Sequence, residues 1–399
     1  MKKPEILAPC STPESVTAAL NAGCDAIYIG GSAFGARAYA ENPSDDTLHE
    51  IIKTCALRGV KVFITLNTLY KENEIQKVLD FVEKVYSYGA YGLIVQDLGM
   101  VSLIKKYYPN IRISASTQMT VHNSDAIDML TEMGCSRIVL ARELGQKEIT
   151  DICSKKDNTE IEGFIHGALC VCYSGRCLMS SIIGQRSGNR GRCAQPCRME
   201  YSLLKDDKTL KSGYLLSPKD ISTAEILDKV LATGIDSLKI EGRMKTALYV
   251  ATVARTYRRA IDDYKQSPEL YREHMAWYQE QISNCTYRQF TTGFFFGKPS
   301  DEAQIYDNNT YVKEYTYLGI VGERNEEGLY RIEQRNKFSV GESIEVMKPD
   351  GANITVTVQR IVDEEGNDME SAPHPKQVLW VDLGSEVSPY DILRRSEME

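Results

Sequence analysis

The chain has 399 residues, 42% of them hydrophobic and 26% charged, with a net charge of −8. That length supports a large core and two domains, and the acidic balance excludes wholesale nucleic-acid binding, so any RNA contact must be a local basic patch. No run of about 18 apolar residues exists, so no membrane span is expected. The opening "MKKPEILAPCSTPES" lacks the apolar stretch of a signal peptide, and a cytoplasmic location with reduced thiols is the expectation.

The first part of the chain alternates strands and helices. "PEILAPC" (4–10) reads as a strand, and "TPESVTAALNAGC" follows as a helix with Thr12 as N-cap and Glu14 in its first turn. Further apolar runs are "DAIYIGG" (25–31), "KVFITLN" (61–67), "GLIVQD" (92–97), "IRISAS" (111–116), "RIVLA" (137–141), "IEGFIHG" (161–167) and "IDSLKIEG" (235–242). Continuously apolar strands separated by helices imply parallel strands covered on both faces. Eight of them predict an α/β fold, a TIM-like (β/α)8 barrel. An open doubly wound sheet stays as the alternative, although "APCSTPES" holds no glycine fingerprint for a dinucleotide.

Barrel active sites lie at the C-terminal strand ends. Polar residues gather there: Arg37 after the second run, Asn67 after the third, Gln118 after the fifth, Arg142 and Glu143 after the sixth, His166 at the seventh, and Lys239, Glu241 and Arg243 at the eighth. Each alone reads equally well as a turn residue or cap. Together they predict a cationic pocket for an anionic ligand. Arg37, Asn67, Gln118, Arg142, Lys239 and Arg243 are the substrate-binding candidates, and His166, Glu143 and Glu241 the catalytic ones.

After the seventh run comes a cysteine-rich insertion spaced Cys170-x6-Cys177-x15-Cys193-x3-Cys197, with Cys172 extra. Four thiolates suffice for zinc or an iron–sulfur cluster. The segment lacks tight C-x2-C knuckles, which favours a cluster over zinc, with buried thiols as the plain alternative. The remaining cysteines are scattered singly and read as small core residues. Arg186, Arg190, Arg192 and Arg198 in this loop form an RNA-binding candidate patch, joined by Arg255, Arg258 and Arg259 on the helix Thr246–Gln266, with Tyr173 or Tyr201 placed to stack on a base. That helix closes a barrel domain over 1–265. Residues 266–304 read as a helical connector, and 305–399 as a small all-β domain, because apolar and polar residues alternate between turns such as "EEG" and "PDG". A small β barrel is its expected form.

"EGFIHGALCVCYSGRCLMSS", with "EILAPC", "CDAIYIGG", "FGARAYAEN", "STQ", "ARELG" and "SLKIEGRMK" in order, resembles the collagenase-like peptidase family, family U thirty-two. The resemblance spans nearly the whole chain and points most to its prephenate-dependent tRNA uridine 5-hydroxylation branch. It implies Cys170, Cys177, Cys193 and Cys197 as 4Fe–4S ligands with Cys172 as a spare. It further implies prephenate, a small dicarboxylate, as cosubstrate, and tRNA as partner. A homodimer or a paralogous family partner stays open. The alternative function is a peptidase, which needs a nucleophile beside a base; His166 near Cys170 is the conceivable pair, and no HExxH helix exists.

Overall fold

The structure, a computed structural model, describes residues 3–31, 34–35, 41–307 and 311–397. Seven apolar runs form β1 (Glu5–Pro9), β2 (Ala26–Ile29), β3 (Lys61–Leu66), β4 (Gly92–Val95), β5 (Arg112–Ala115), β6 (Arg137–Val139) and β7 (Glu160–Ala168). A hairpin of β8 (Tyr201–Lys205) and β9 (Lys208–Gly213), then β10 (Asp220–Ser222), precede the eighth barrel strand, β11 (Ser237–Ile240). The barrel strands pair in parallel in chain order, and β11 pairs with both β1 and β7. That closure makes a (β/α)8 barrel and removes the open-sheet alternative.

Helices α1 (Pro13–Asn21), α2 (Asp45–Leu57), α3 (Ile75–Ser87), α4 (Leu98–Tyr107), α5 (Ser124–Glu132) and α6 (Gln146–Lys155) follow the first six strands. α7 (Met179–Gly184) lies in the cysteine segment, α8 (Leu227–Ala232) precedes β11, and α9 (Ala247–Gln266) follows it. Polar residues start these helices where first-turn N–H groups need acceptors: Thr12, Ser44, Asp97, Asn123 and Thr246 each cap one. The apolar faces then turn inward. In α3 the buried positions are Val78, Phe81, Val82 and Val85, the spacing of one helical face.

The barrel interior is charged at its lower end. Arg137, 2% exposed, donates to Glu5 (2.6 Å), Glu160 (2.7 Å) and Glu162 (3.1 Å). Lys61 adds a bond to Glu5 at 2.7 Å, and Lys239 one to Glu162 at 2.7 Å. The Arg137 guanidinium also covers the Phe63 ring at 4.6 Å. Burial alone would raise the Glu5 carboxyl, but Arg137 and Lys61 hold it below its usual range.

Residues 266–304, expected as a connector, belong to the barrel's packing. α10 (Pro268–Glu273), α11 (Met275–Ser283) and the short β12 (Phe290–Thr291) bring Tyr271, Tyr278, Ile282, Cys285 and Phe295 into its core. The C-terminal domain is one antiparallel sheet of β13 (Tyr315–Arg324), β14 (Tyr330–Gln334), β15 (Ser343–Met347), β16 (Ile354–Thr357), β17 (Arg360–Val362), β18 (Asp368–Met369), β19 (Val378–Asp382) and β20 (Ile392–Ser396). It wraps its own core around Leu318, Ile332, Phe338 and Leu379. β16 and β17 stand near opposite ends of the strand order yet are separated in the chain only by Val358 and Gln359, and Ser339 pairs with Ser371, so the sheet curls round on itself. Tyr317, Met347 and Ile392 seat it on α1 and α9. No helix of the described residues is long and apolar enough to cross a membrane.

Removing one member of the floor network strands the others as buried charges. Arg137→Ala is expected to cost about 3–5 kcal/mol of stability, read as a lowered urea midpoint of the barrel's unfolding transition.

Candidate functional site

The C-terminal strand ends enclose a cavity of about 240 Å³. Its wall combines strand-end residues Asn67, Gln118, Arg142, Lys239, Glu241 and Arg243 with Cys170, Cys177, Cys193 and Cys197 from the insertion. Alternation explains the placement on β3: Phe63 points to the barrel floor, Thr65 two residues on meets Arg243, and Asn67 reaches the cavity.

Each cation has a defined setting. Lys239 is spent on Glu162 and sits 4.4 Å over the Tyr28 ring. Arg142 lies 4.1 Å over the Phe164 ring, 3.6 Å from Glu241, and donates to Cys170 Sγ at 3.5 Å. Arg243, 3% exposed, donates to Thr65 Oγ1 at 2.9 Å and Asn42 Oδ1 at 2.6 Å. Gln118 presents a buried Oε1 with no hydrogen-bond partner among the described residues. Such an acceptor costs about 1–3 kcal/mol and is relieved by a ligand donor. Arg37 lies outside the described residues.

The cysteine segment is fitted to the barrel by backbone contacts that only glycine permits. Gly175 sits at φ 77° against Gln118, whose carbonyl oxygen would lie 2.2 Å from an added Cβ. Gly167, at φ 107°, lets β7 pass Glu241 where a Cβ would meet its carbonyl at 2.5 Å. All 11 cysteines are free thiols. Cys10, Cys24, Cys55, Cys135 and Cys285 are buried as core residues. Burial, and behind it the thiols of Cys170, Cys193 and Cys177, push the Cys197 thiol up against the pull of Arg198. The Gln195 N–H donates to Cys193 Sγ at 3.3 Å. Among the described residues no three His, Cys, Asp or Glu side chains are placed to hold a metal ion. Cys170, Cys177, Cys193 and Cys197 all line the one cavity, and the other three lie near enough to Cys197 to act on its thiol.

Several expected roles change in the folded chain. His166 lies inside β7 rather than beyond it. The β7–β11 register shifts between Lys239 and Ile240, and the His166 ring packs on Tyr249 and Tyr257 of α9 and on Phe290. It is 1% exposed and is no part of the cavity wall. Glu143 also stands behind the wall. It accepts from Ser174 N and Oγ, both at 3.0 Å, and faces His122 Nε2 at 3.7 Å.

The arginine patch divides as well. Arg198 is 5% exposed. It donates to Ser217 Oγ at 3.0 Å, to Pro218 O, and to Leu169 O at 2.9 Å, tying together the two ends of the cysteine segment. Arg190 is bidentate on Glu74 at 2.6 and 2.7 Å, which latches the segment to the loop after β3. Arg255 is buried between domains, donating to Lys348 O at 2.5 Å and Gln281 Oε1 at 2.6 Å. Arg258 pairs with Asp25 and Asp262, and Arg259 with Asp263. Arg192 is exposed and Arg186 half-buried. Among the residues sequence reasoning missed are Thr65, Tyr28 and Ser174. Thr65 was visible as a polar residue inside an apolar run, two positions before Asn67.

The fold and site define a TIM-like barrel with a cysteine-rich segment over its mouth and an attached antiparallel β domain. Residues 11–305 match Peptidase family U32, and residues 313–394 match the Peptidase family U32 C-terminal domain. The chain belongs to this family. It is 35% identical to tRNA hydroxylation protein P1 of Bacillus subtilis, over 99% of this chain and 96% of that one. It is 29% identical to tRNA hydroxylation protein P of Escherichia coli, over 99% and 97%. A protein named Collagenase from Porphyromonas gingivalis is 30% identical over 79% of each chain.

Burial, aided by the Lys245 charge, holds the His166 pKa down at about 3 against an ordinary 6.5. The folded ring stays neutral, whereas the unfolded chain takes up a proton near pH 6.5. Its contribution to stability is full above about pH 6.5 and is lost as pH falls toward 3, by up to about 1.4 kcal/mol per pH unit. A His166→Asn variant is expected to lack that part of the acid destabilisation, measured as unfolding free energy against pH beside the wild type.

Proposed function

We propose that the protein is an RNA-modifying enzyme that hydroxylates a nucleobase, and that the base is the wobble uridine of tRNA, hydroxylated at C5. The observation that carries this reading is the cavity itself. It joins four free thiols to buried guanidinium groups at a barrel mouth, in a chain that aligns over 99% of its length with proteins named for tRNA hydroxylation.

In this reading Cys170, Cys177, Cys193 and Cys197 hold a 4Fe–4S cluster, which supplies redox chemistry when bound. Arg142 and Arg243 bind the carboxylates of prephenate, since guanidinium forks match carboxylate geometry. Lys239, neutralised by Glu162, sets the polarity of the cavity floor. Gln118 Oε1 accepts from a hydroxyl of the bound molecule. Glu241 orients Arg142. The peptidase reading has less support. No histidine lines the cavity among the described residues, so no imidazole stands there to activate a thiol nucleophile.

Deleting the gene and measuring 5-hydroxyuridine derivatives in bulk tRNA by mass spectrometry tests the function. Loss of the modification is expected. An unchanged level, in a cell with no second family member, sinks this reading and promotes the peptidase. The cofactor has its own test: Cys177→Ala or Cys193→Ala should lose iron and acid-labile sulfide from anaerobically purified protein, while Cys172→Ala keeps both. Stoichiometric zinc without sulfide contradicts the cluster. For the cosubstrate, Arg243→Ala is expected to weaken prephenate binding at least about tenfold in calorimetry, the cost of losing a charged hydrogen bond.

A further inference from the structure

The cysteine segment carries more than the four thiols. Between Val171 and Ser212 stand eight basic and three acidic residues, a local net charge of +5 in a chain whose net charge is −8. Nearly half of the exposed large apolar side chains of the described residues lie between Val171 and Leu210. The densest part is the β8–β9 hairpin, with Leu203, Leu204 and Leu210 exposed at 54%, 58% and 60%.

This hairpin is anchored at its base and bare at its tip. Tyr201 Oη donates to Pro196 O at 2.9 Å, Tyr214 N donates to Tyr306 O at 3.2 Å, and Lys211 Nζ lies 3.9 Å over the Tyr306 ring. Beyond that, residues Ser202–Lys205 of β8 and Lys208–Lys211 of β9 are exposed. A two-stranded hairpin with nothing packed on it is marginal in water. Its tip turns through Asp206 (φ 49°) and Asp207 (φ 58°), a tight turn with both residues left-handed. On either side of the turn, Lys205 pairs directly with Lys208. Like charges in direct cross-strand register are destabilising. Among the described residues neither lysine has an ion-pair partner.

We propose that this hairpin is an arm that grips single-stranded RNA beside the cavity. Lys205 and Lys208 meet successive phosphates, and the exposed leucines lie against unstacked bases. A polyanion relieves the Lys205–Lys208 repulsion. Loop RNA also offers base faces to the apolar side chains. The four-arginine patch is a poorer grip, since Arg190 is latched to Glu74 and Arg198 is buried. The proposal rests on the RNA-modifying reading and adds the surface by which the substrate is held.

The test is fluorescence-anisotropy binding of an anticodon stem-loop RNA to the full chain across a salt series. Lys205→Glu/Lys208→Glu should weaken binding at least about tenfold. It should also shrink the slope of log K against log salt by about 1.4, about 0.7 for each lost phosphate contact on single strands. Leu203→Ser/Leu204→Ser should weaken binding with the salt slope unchanged, and these exposed changes should leave the melting temperature intact. If both variants bind RNA as the wild type does and restore 5-hydroxyuridine in the deletion strain, the arm is refuted while the function stands. If the wild type neither binds the RNA nor restores the modification, both fall. If the variants keep wild-type RNA affinity but shift the oligomeric state in sedimentation, the hairpin is a protein interface and the proposal is overturned.

Discussion

The structure depends on a chain of buried charge that runs up the inside of the barrel. Glu5, Arg137, Glu162 and Lys239 come from four different strands, yet each satisfies the next. A barrel of this size fills its interior with side chains, and charged ones are tolerated there only when fully paired. The network therefore fixes which residues face inward on β1, β6, β7 and β11. Lys239 is its upper end and also the floor of the cavity. Whatever occupies the mouth rests on a surface whose charge was set below it.

The second constraint is the attachment of the cysteine segment. It leaves the barrel at Leu169 and returns at Ser217, and Arg198 binds both places from within. Gly175 allows backbone-to-backbone contact with Gln118, and Arg190 closes the far side on Glu74. These ties hold Cys170, Cys177, Cys193 and Cys197 against strand ends that carry Arg142 and Arg243. Without them the thiols would belong to a long loop with few apolar anchors of its own.

The C-terminal domain is joined to the barrel by both apolar and charged contacts. Glu14 in the first turn of α1 receives Arg335, and Arg255 reaches from α9 to Lys348 and Asn353. These contacts lie on the α1–α9 side of the barrel and involve none of the residues that line the cavity. The domain buttresses the helix that follows the last barrel strand, and the barrel alone supplies the site's walls.

Sequence patterning by itself determined the eight barrel strands, the helix cap at Thr12, the antiparallel texture after residue 311, and the family. All of these are local signals or ordered motifs, readable because period, capping chemistry and turn residues act over a few positions. It also marked most of the cavity, because polar residues closing apolar runs must meet at one end of a closed barrel. Only the tertiary structure decided what each charged side chain faces. Arg198, Arg190 and Arg192 look alike in the string, yet one is buried, one is latched and one is exposed, according to which distant carbonyl or carboxylate lies within reach. His166 turned away from the cysteines through a single register shift between β7 and β11, a pairing between strands some 75 positions apart that no local pattern encodes. Burial and ion pairing are properties of the packed chain, and they separate the arginines that hold this site together from those that face solvent.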